Sequence, residues 1–173
     1  MDEAVLLGLA KLRSPWLNRS MADITSLGSM TIVFLISIAA FTLLWIVQDR
    51  RGAARIAVAA AGSEIWIEVL KLIFGRPRPT LVPYLTQFTG WSFPSGHALM
   101  TTATYATLAA VMCAHLRDQR GRMVIWLMCG TIVGLVSISR MYLGVHYPSD
   151  VAGGIVLGLL WFYLTPFLTR ALF

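Results

Sequence analysis

Residues 139–150, SRMYLGVHYPSD, place an arginine, a histidine and an aspartate in a short polar break between two apolar runs, 123–140 and 151–170. Each run approaches the roughly 20 residues that a helix needs to cross a bilayer. The break therefore reads as a turn at a membrane surface. Three further apolar runs precede it, at about 29–48, 53–74 and 97–115. Ahead of them, Trp16, Leu17, Met21, Ile24 and Leu27 recur near helical spacing beside Asn18, Arg19 and Asp23, the pattern of a short helix lying in the interface. The expected fold is all-α: a polytopic membrane helical bundle of about five transmembrane helices plus an N-terminal interfacial helix.

Composition supports this and excludes an ordinary soluble domain, with 57% hydrophobic residues, 13% charged residues and a mean hydropathy of +0.72. The 173 residues make one membrane-embedded domain, 1–173, and leave no room for a separate soluble module. Net charge is +6. With no basic amphipathic helix or lysine-rich tail, the expected partners are anionic membrane lipids and not nucleic acid. Cys113 and Cys129 fall inside apolar runs and show no metal or redox spacing. The opening MDEAVLLGLAKL starts acidic and has only a short apolar stretch, which argues against a cleavable signal peptide.

Between the second and third runs lies RPRPTLVPYLTQFTGWSFPSG, residues 76–96, whose Pro77, Pro79, Pro83 and Pro94 forbid a regular helix. It must be a structured loop on one face. If the spans alternate, the end of the second, the start of the third, the end of the fourth and the start of the fifth open on that same face. The opposite face carries QDRRGAAR (48–55), LRDQRGR (116–122) and Arg170. By the positive-inside rule these face the cytoplasm, so the chain reads as an integral cytoplasmic-membrane protein whose polar cluster faces the periplasm or exterior. Lys11, Arg13 and Arg19 run against that bias.

Three groups converge on the outer face. In KLIFGRPRP, 71–79, Lys71 ends a span and Arg78 follows seven residues on, while Arg76 reads as a snorkelling anchor. In FPSGH, 93–97, Pro94, Ser95 and Gly96 open a helix whose first amides point outward with the helix dipole behind them, a ready anion site beside His97. In the quoted stretch, Arg140 ends a span, Pro148 suits a first helical position, and His146 and Asp150 are spaced so that the carboxylate can reach one imidazole nitrogen. The other nitrogen is then free to act as a base, a metal ligand or a nucleophile.

Three cationic side chains with the amides near Ser95 and Gly96 suit a tetrahedral dianion better than a planar carboxylate, which points to phosphate. Phosphoryl transfer needs charge neutralisation and an in-line nucleophile, and His146 and His97 can take opposed places. Two histidines and one aspartate make a thin metal set among cations that repel a metal ion, so no metal and no cofactor are expected. Glu64 and Glu68 sit at membrane depth, and Glu68 suits a structural partner for a motif cation. Gly153, Gly154 and Gly158 suit close helix packing.

These residues carry a resemblance. Lys71 with Arg78 and Pro79, PSGH at 94–97, and Ser139 and Arg140 with His146 and Asp150 resemble the three motifs of the type 2 phosphatidic acid phosphatase superfamily of membrane lipid phosphatases. Relatives there include glucose-6-phosphatase and the soluble vanadium haloperoxidases. The motifs span residues 71–150 in the family's order. The resemblance implies that His146 attacks phosphorus and carries a phosphohistidine, that Asp150 orients it, and that His97 protonates the departing oxygen. It implies that Lys71, Arg78, Ser95, Gly96, Ser139 and Arg140 hold the phosphate, with no metal. It also implies six spans, of which this chain offers five.

The expected function is metal-independent dephosphorylation of a lipid phosphate or diphosphate at the outer face. Undecaprenyl diphosphate is the first choice, because an outward site suits recycling of that carrier. Phosphatidylglycerol phosphate, phosphatidic acid and lipid A are alternatives, as are lipid-to-lipid phosphotransfer and non-catalytic lipid carriage.

Overall fold

The computed structural model describes residues 2–170, and among them every regular element is a helix. Seven occur in order: α1 (Asp2–Lys11), α2 (Pro15–Ser26), α3 (Met30–Ile46), α4 (Arg50–Phe74), α5 (Gly96–Ala114), α6 (Gln119–Tyr142) and α7 (Pro148–Arg170). The last five reproduce the five apolar runs to within a few residues at each end.

Boundaries follow local chemistry. Ser14 caps α2 by accepting from the Leu17 amide with Pro15 in the first turn, Ser29 caps α3 through Ile32, and Asp49 caps α4 through Gly52. Asp118 accepts from the Arg120 and Gly121 amides to start α6. Gly75, at φ 52, closes α4 in the left-handed conformation, and Pro77 and Pro79 keep the chain from resuming a helix.

Three helices, α5, α6 and α7, are long and apolar enough to cross a membrane, and a fourth span results if α2 and α3, bent by 43° at their junction, count as one. α3 alone has 17 residues, and α4, though 25 residues long, carries Arg50, Arg51, Arg55, Glu64, Glu68 and Lys71. α5 is the hub, packed against α7, α6, α4 and α3. Its most apolar window is 72% buried within the protein, against 11% for α6 and 22% for α7, which turn their leucines, valines and aromatics outward. The protein is thus inverted relative to a soluble bundle, with its threonine-rich helix inside. Thr101 and Thr107 satisfy their hydroxyls on the carbonyls of His97 and Ala103, one turn back.

Close approach of α5 and α7 depends on glycine. A Cβ at Gly154 would stand 2.7 Å from the Ser95 carbonyl oxygen, and one at Gly158 would stand 2.6 Å from that of Leu99. The expected small-residue packing is therefore packing within the bundle.

Two elements differ from expectation. The acidic N-terminal stretch forms a helix over Asp2–Lys11, α1, which buries Leu6 and packs on α6 and α7. α2 is more than a surface helix: it packs on α6, and its end contributes a wall of the site. Arg13, which ran against the charge bias, lies between them and donates to the carbonyls of Pro83 (2.9 Å) and Tyr142 (2.9 Å), pinning the 76–95 loop to the end of α6. Gly144, at φ 81, leaves room for that guanidinium; a Cβ there would stand 3.0 Å from Arg13 Nη2.

Candidate active site

The end of α4, the start of α5, the end of α6 and the turn before α7 meet around one cavity of about 450 Å³. Its wall includes Lys71, Arg78, Gly96, His97, Arg140 and His146. Six of the nine sequence-derived site residues thus share one space. At the far end of the bundle, Asp49 and His115 pair at 2.9 Å, joining the basic α3–α4 and α5–α6 turns on the opposite face.

His146 is almost fully buried, and its Nε2 lies 3.2 Å from Arg78 Nη1. A guanidinium only donates, so this nitrogen is the acceptor and the ring proton belongs on Nδ1. Burial, opposed by Asp150 and reinforced by Arg140 and Arg78, pushes the His146 pKa down to about 4. The imidazole is neutral at physiological pH, with its bare nitrogen toward the cavity cations.

Asp150 is fully buried in the first turn of α7. The expected contact with His146 falls short of a hydrogen bond, with Nδ1 to Oδ2 at 3.8 Å. The reason is competition: Oδ2 accepts from Ser92 Oγ at 2.5 Å and from the Tyr147 amide at 2.9 Å, the second being a helix-capping bond. Oδ1 accepts from Arg76 at 2.6 Å. Asp150 therefore faces His146 as a nearby fixed charge, and Nδ1 is buried without a hydrogen-bond partner.

Arg78 organises the loop as well as the cavity. It donates to the carbonyls of Thr89 (2.8 Å), Gly90 (3.0 Å), Trp91 (3.1 Å) and Val145 (2.9 Å) and lies over the Phe88 ring at 4.6 Å. Burial lowers its pKa, a shift partly offset by Asp150 and Tyr84. Arg140 is buried at the end of α6, with Nη1 donating to Thr25 Oγ1 at 3.0 Å. Lys71 pairs with Glu68 at 2.9 Å, the partner expected for it.

Ser95 and Ser139 are not on the cavity wall. Both are fully buried. The Ser139 hydroxyl donates to the Val136 carbonyl at 2.6 Å. The Ser95 amide donates to the Asp150 carbonyl at 3.0 Å, and its hydroxyl is buried without a partner. Ser95 does hold the N-cap position of α5, but its side chain makes no capping bond, so the first amides of the helix keep their capacity for an anion.

Sequence reasoning missed several wall residues: Thr25, Ser26 and Ser29 from the bent α2–α3 junction, and Thr86, Gln87, Phe88 and Thr89 from the loop. No motif marks them. It also misread Arg76, whose guanidinium is engaged by Asp150 and by Asp2 at 3.1 Å and so is not a snorkelling anchor. Its one signal was position, inside a proline-broken loop past the end of the apolar run.

Among the described residues, no three His, Cys, Asp or Glu side chains are grouped to hold a metal ion. The arrangement offers a nucleophile candidate in neutral His146, an acid and base candidate in His97, and fixed cations suited to neutralising a phosphoryl group.

The chain is similar to known proteins along most of its length. The family model described as "PAP2 superfamily" matches residues 52–172. The chain is 32% identical over 164 residues to phosphatidylglycerophosphatase B of Bacillus subtilis, covering 94% of this chain and 80% of that one. It is 28% identical to the putative undecaprenyl-diphosphatase YbjG of Escherichia coli, over 85% of this chain and 71% of that one. The crystal structure of a transmembrane PAP2-type phosphatidylglycerolphosphate phosphatase from Bacillus subtilis superposes with a TM-score of 0.90 at 31% identity, covering 98% of this chain and 85% of that one.

Proposed function

Because the chain belongs to the PAP2 superfamily and is a phosphatase of that family, we propose that it removes phosphate from a membrane lipid by way of a phosphohistidine at His146. The observation that carries this reading is the shared cavity, in which His146 and His97 stand with Lys71, Arg78 and Arg140. In the first step the His146 Nε2 lone pair forms a bond to phosphorus while the phosphorus–oxygen bond to the lipid breaks. His97 gives its proton to the departing lipid oxygen. In the second, His97 takes a proton from water, whose oxygen displaces the imidazole and yields inorganic phosphate. Lys71, Arg78, Arg140 and the Gly96 amide offset charge on the equatorial oxygens, work that a metal ion does in other phosphatases.

Two motif serines take modified roles. Ser95 holds the N-cap position of α5, leaving the first amides of that helix to a bound phosphate, whereas Ser139 holds the last turn of α6 that presents Arg140. Asp150 stabilises the positive charge that develops on His146 during attack.

The first substrate is phosphatidylglycerol phosphate, on the strength of the B. subtilis relatives. Undecaprenyl diphosphate, favoured by an outward-facing site, comes next, then lipid A and phosphatidic acid. In this reading α3 to α7 cross the membrane and the cavity opens on the outer side of the cytoplasmic membrane; the basic turns grouped at the other end around Asp49 and His115 support that orientation.

The test is phosphate release by purified protein in detergent with excess EDTA, offered each of the four lipids, beside a His146→Ala control. Fastest release from phosphatidylglycerol phosphate, lost in the variant, is the expected result. Undiminished release by His146→Ala would overturn the phosphohistidine, and label from the donor found in a second lipid would replace hydrolysis with phosphotransfer.

A further inference from the structure

Asp150 is gripped from outside the phosphate cavity. Arg76, which holds its Oδ1 through Nη1, uses Nη2 to reach Asp2 Oδ2 at 3.1 Å. Asp2, in the first turn of α1, also accepts from the Ser149 amide at 3.2 Å and from the Ser149 hydroxyl. Arg76 Nη1 donates to that same hydroxyl at 2.8 Å, the guanidinium lies 4.4 Å from the Tyr147 ring centre, and the Arg76 carbonyl accepts from the Ser92 amide at 2.8 Å. Four segments remote in sequence are thereby closed into a row of alternating charge, Asp2, Arg76 and Asp150, with His146 at its end. Neither Asp2 nor Arg76 lines the cavity.

An arginine held by a single buried carboxylate would neutralise it. Here a second carboxylate shares the guanidinium, so the row keeps one net negative charge and Asp150 continues to act on His146 as an anion. Burial opposes ionisation of Asp2, but the hydrogen bonds from Ser149 and Arg76 outweigh it and hold the Asp2 pKa low. We infer that Asp2 and Arg76 are positioning residues for the nucleophile: α1, through Asp2, sets how much of the Asp150 charge reaches His146. The inference rests on the reading of His146 as the attacking group.

Other groups face His146 from each packed element: Arg78 from the loop, Arg140 from α6, Asp150 from α7, and His97 and Lys71 across the cavity from α5 and α4. Of these, only Asp150 is bonded to a substituted residue, through Arg76, so the substitutions reach His146 by way of Asp150. Loss of the Asp2 charge strengthens the hold of Arg76 on Asp150, disfavours the imidazolium and moves the acid limb of kcat/KM to lower pH. Loss of the Arg76 charge does the reverse. A purely structural role for α1 predicts neither shift.

The test compares Asp2→Asn, Asp2→Glu and Arg76→Gln in the full-length protein, reading kcat, KM and the pH profile on the best lipid substrate. Expected for Asp2→Asn are a kcat several-fold lower, an unchanged KM and an acid limb displaced downward by about half a unit, as for the loss of a nearby charge. Asp2→Glu restores both, and Arg76→Gln displaces the limb upward. Limbs that stay in place, or move in the same direction, overturn the inference while leaving the phosphohistidine intact. If Arg76→Gln fails to elute as a folded species, Asp2→Asn against Asp2→Glu decides alone. His146→Ala, run in parallel, separates the cases, since turnover without His146 overturns the nucleophile and this inference together.

Discussion

Arg78 Nη1 stands 3.2 Å from His146 Nε2, so the attacking nitrogen candidate already faces the cation that a phosphate would need. The same guanidinium holds four loop carbonyls. Arg78→Lys retains a charge but loses the planar fork, which a lysine cannot replace at a multidentate site. The expected result is at least a ~100-fold loss of kcat/KM, on the scale seen for removal of one charge-stabilising donor. Thermal stability should fall as well, because the 76–95 loop loses its centre. Full activity with unchanged stability would remove Arg78 from both roles.

His146 sets a pH dependence of stability. Its folded pKa, near 4 through burial, lies below the ordinary histidine value of 6.5. Between those values the unfolded chain binds a proton that the folded chain does not. Stability is therefore complete above pH 6.5 and lost as pH falls toward 4, by about 3 kcal/mol for this group. Thermal unfolding in detergent from pH 7.5 to 4, beside His146→Gln, measures it, and the variant should show a shallower decline.

On the proposed mechanism activity should follow a bell in pH, because attack would require neutral His146 and departure of the lipid oxygen a proton from His97. In the free enzyme the acid limb lies below pH 6.5, by the same shift of His146. A profile of kcat/KM that stays flat from pH 5 to 9 would contradict the assignment of His97 as acid.

Gly154 and Gly158 let α7 touch the backbone of α5. Gly154→Ala brings a methyl group to 2.7 Å from the Ser95 carbonyl and 3.0 Å from the Ala98 side chain. Overpacking of this kind costs about 1–3 kcal/mol, and here it also displaces the cap beside the cavity. Gly130→Ala is the control, since nothing lies within 4 Å of a Cβ there. Melting temperatures of the two variants should separate clearly, with Gly130→Ala at or above the parent.

Lys71 and Glu68 make an ion pair whose carboxylate side chain is 60% exposed. Such a pair contributes about 0–1 kcal/mol, so Glu68→Gln should leave folding nearly unchanged. Lys71→Ala, in contrast, removes a cavity cation and should reduce kcat/KM strongly. A large loss of stability in Glu68→Gln would show that Glu68 does more than steady Lys71.

Much of this protein was legible in its residue order. Apolar runs located α3 to α7 because polar, glycine and proline breaks between the runs leave little freedom in where each helix begins and ends. The positions of Lys71, Arg78, His97, Arg140 and His146 near helix ends pointed to the cavity they share, because helices that alternate in direction bring those ends to one face. What only the tertiary structure decided lies in contacts between segments remote in sequence. Asp150 sits one helical turn from His146, yet its oxygens go to Ser92, to the Tyr147 amide and to Arg76. Ser95 and Ser139 belong to the motifs, yet their hydroxyls face packed interior. Asp2 and Arg13, unremarkable in a polar-flanked N-terminal segment, fasten the loop and the first turn of α7. The physical reason is competition: a buried carboxylate or guanidinium binds the donors and acceptors that packing brings within about 3 Å. Residue spacing along one helix states only which partners are possible, and the fold determines which are present.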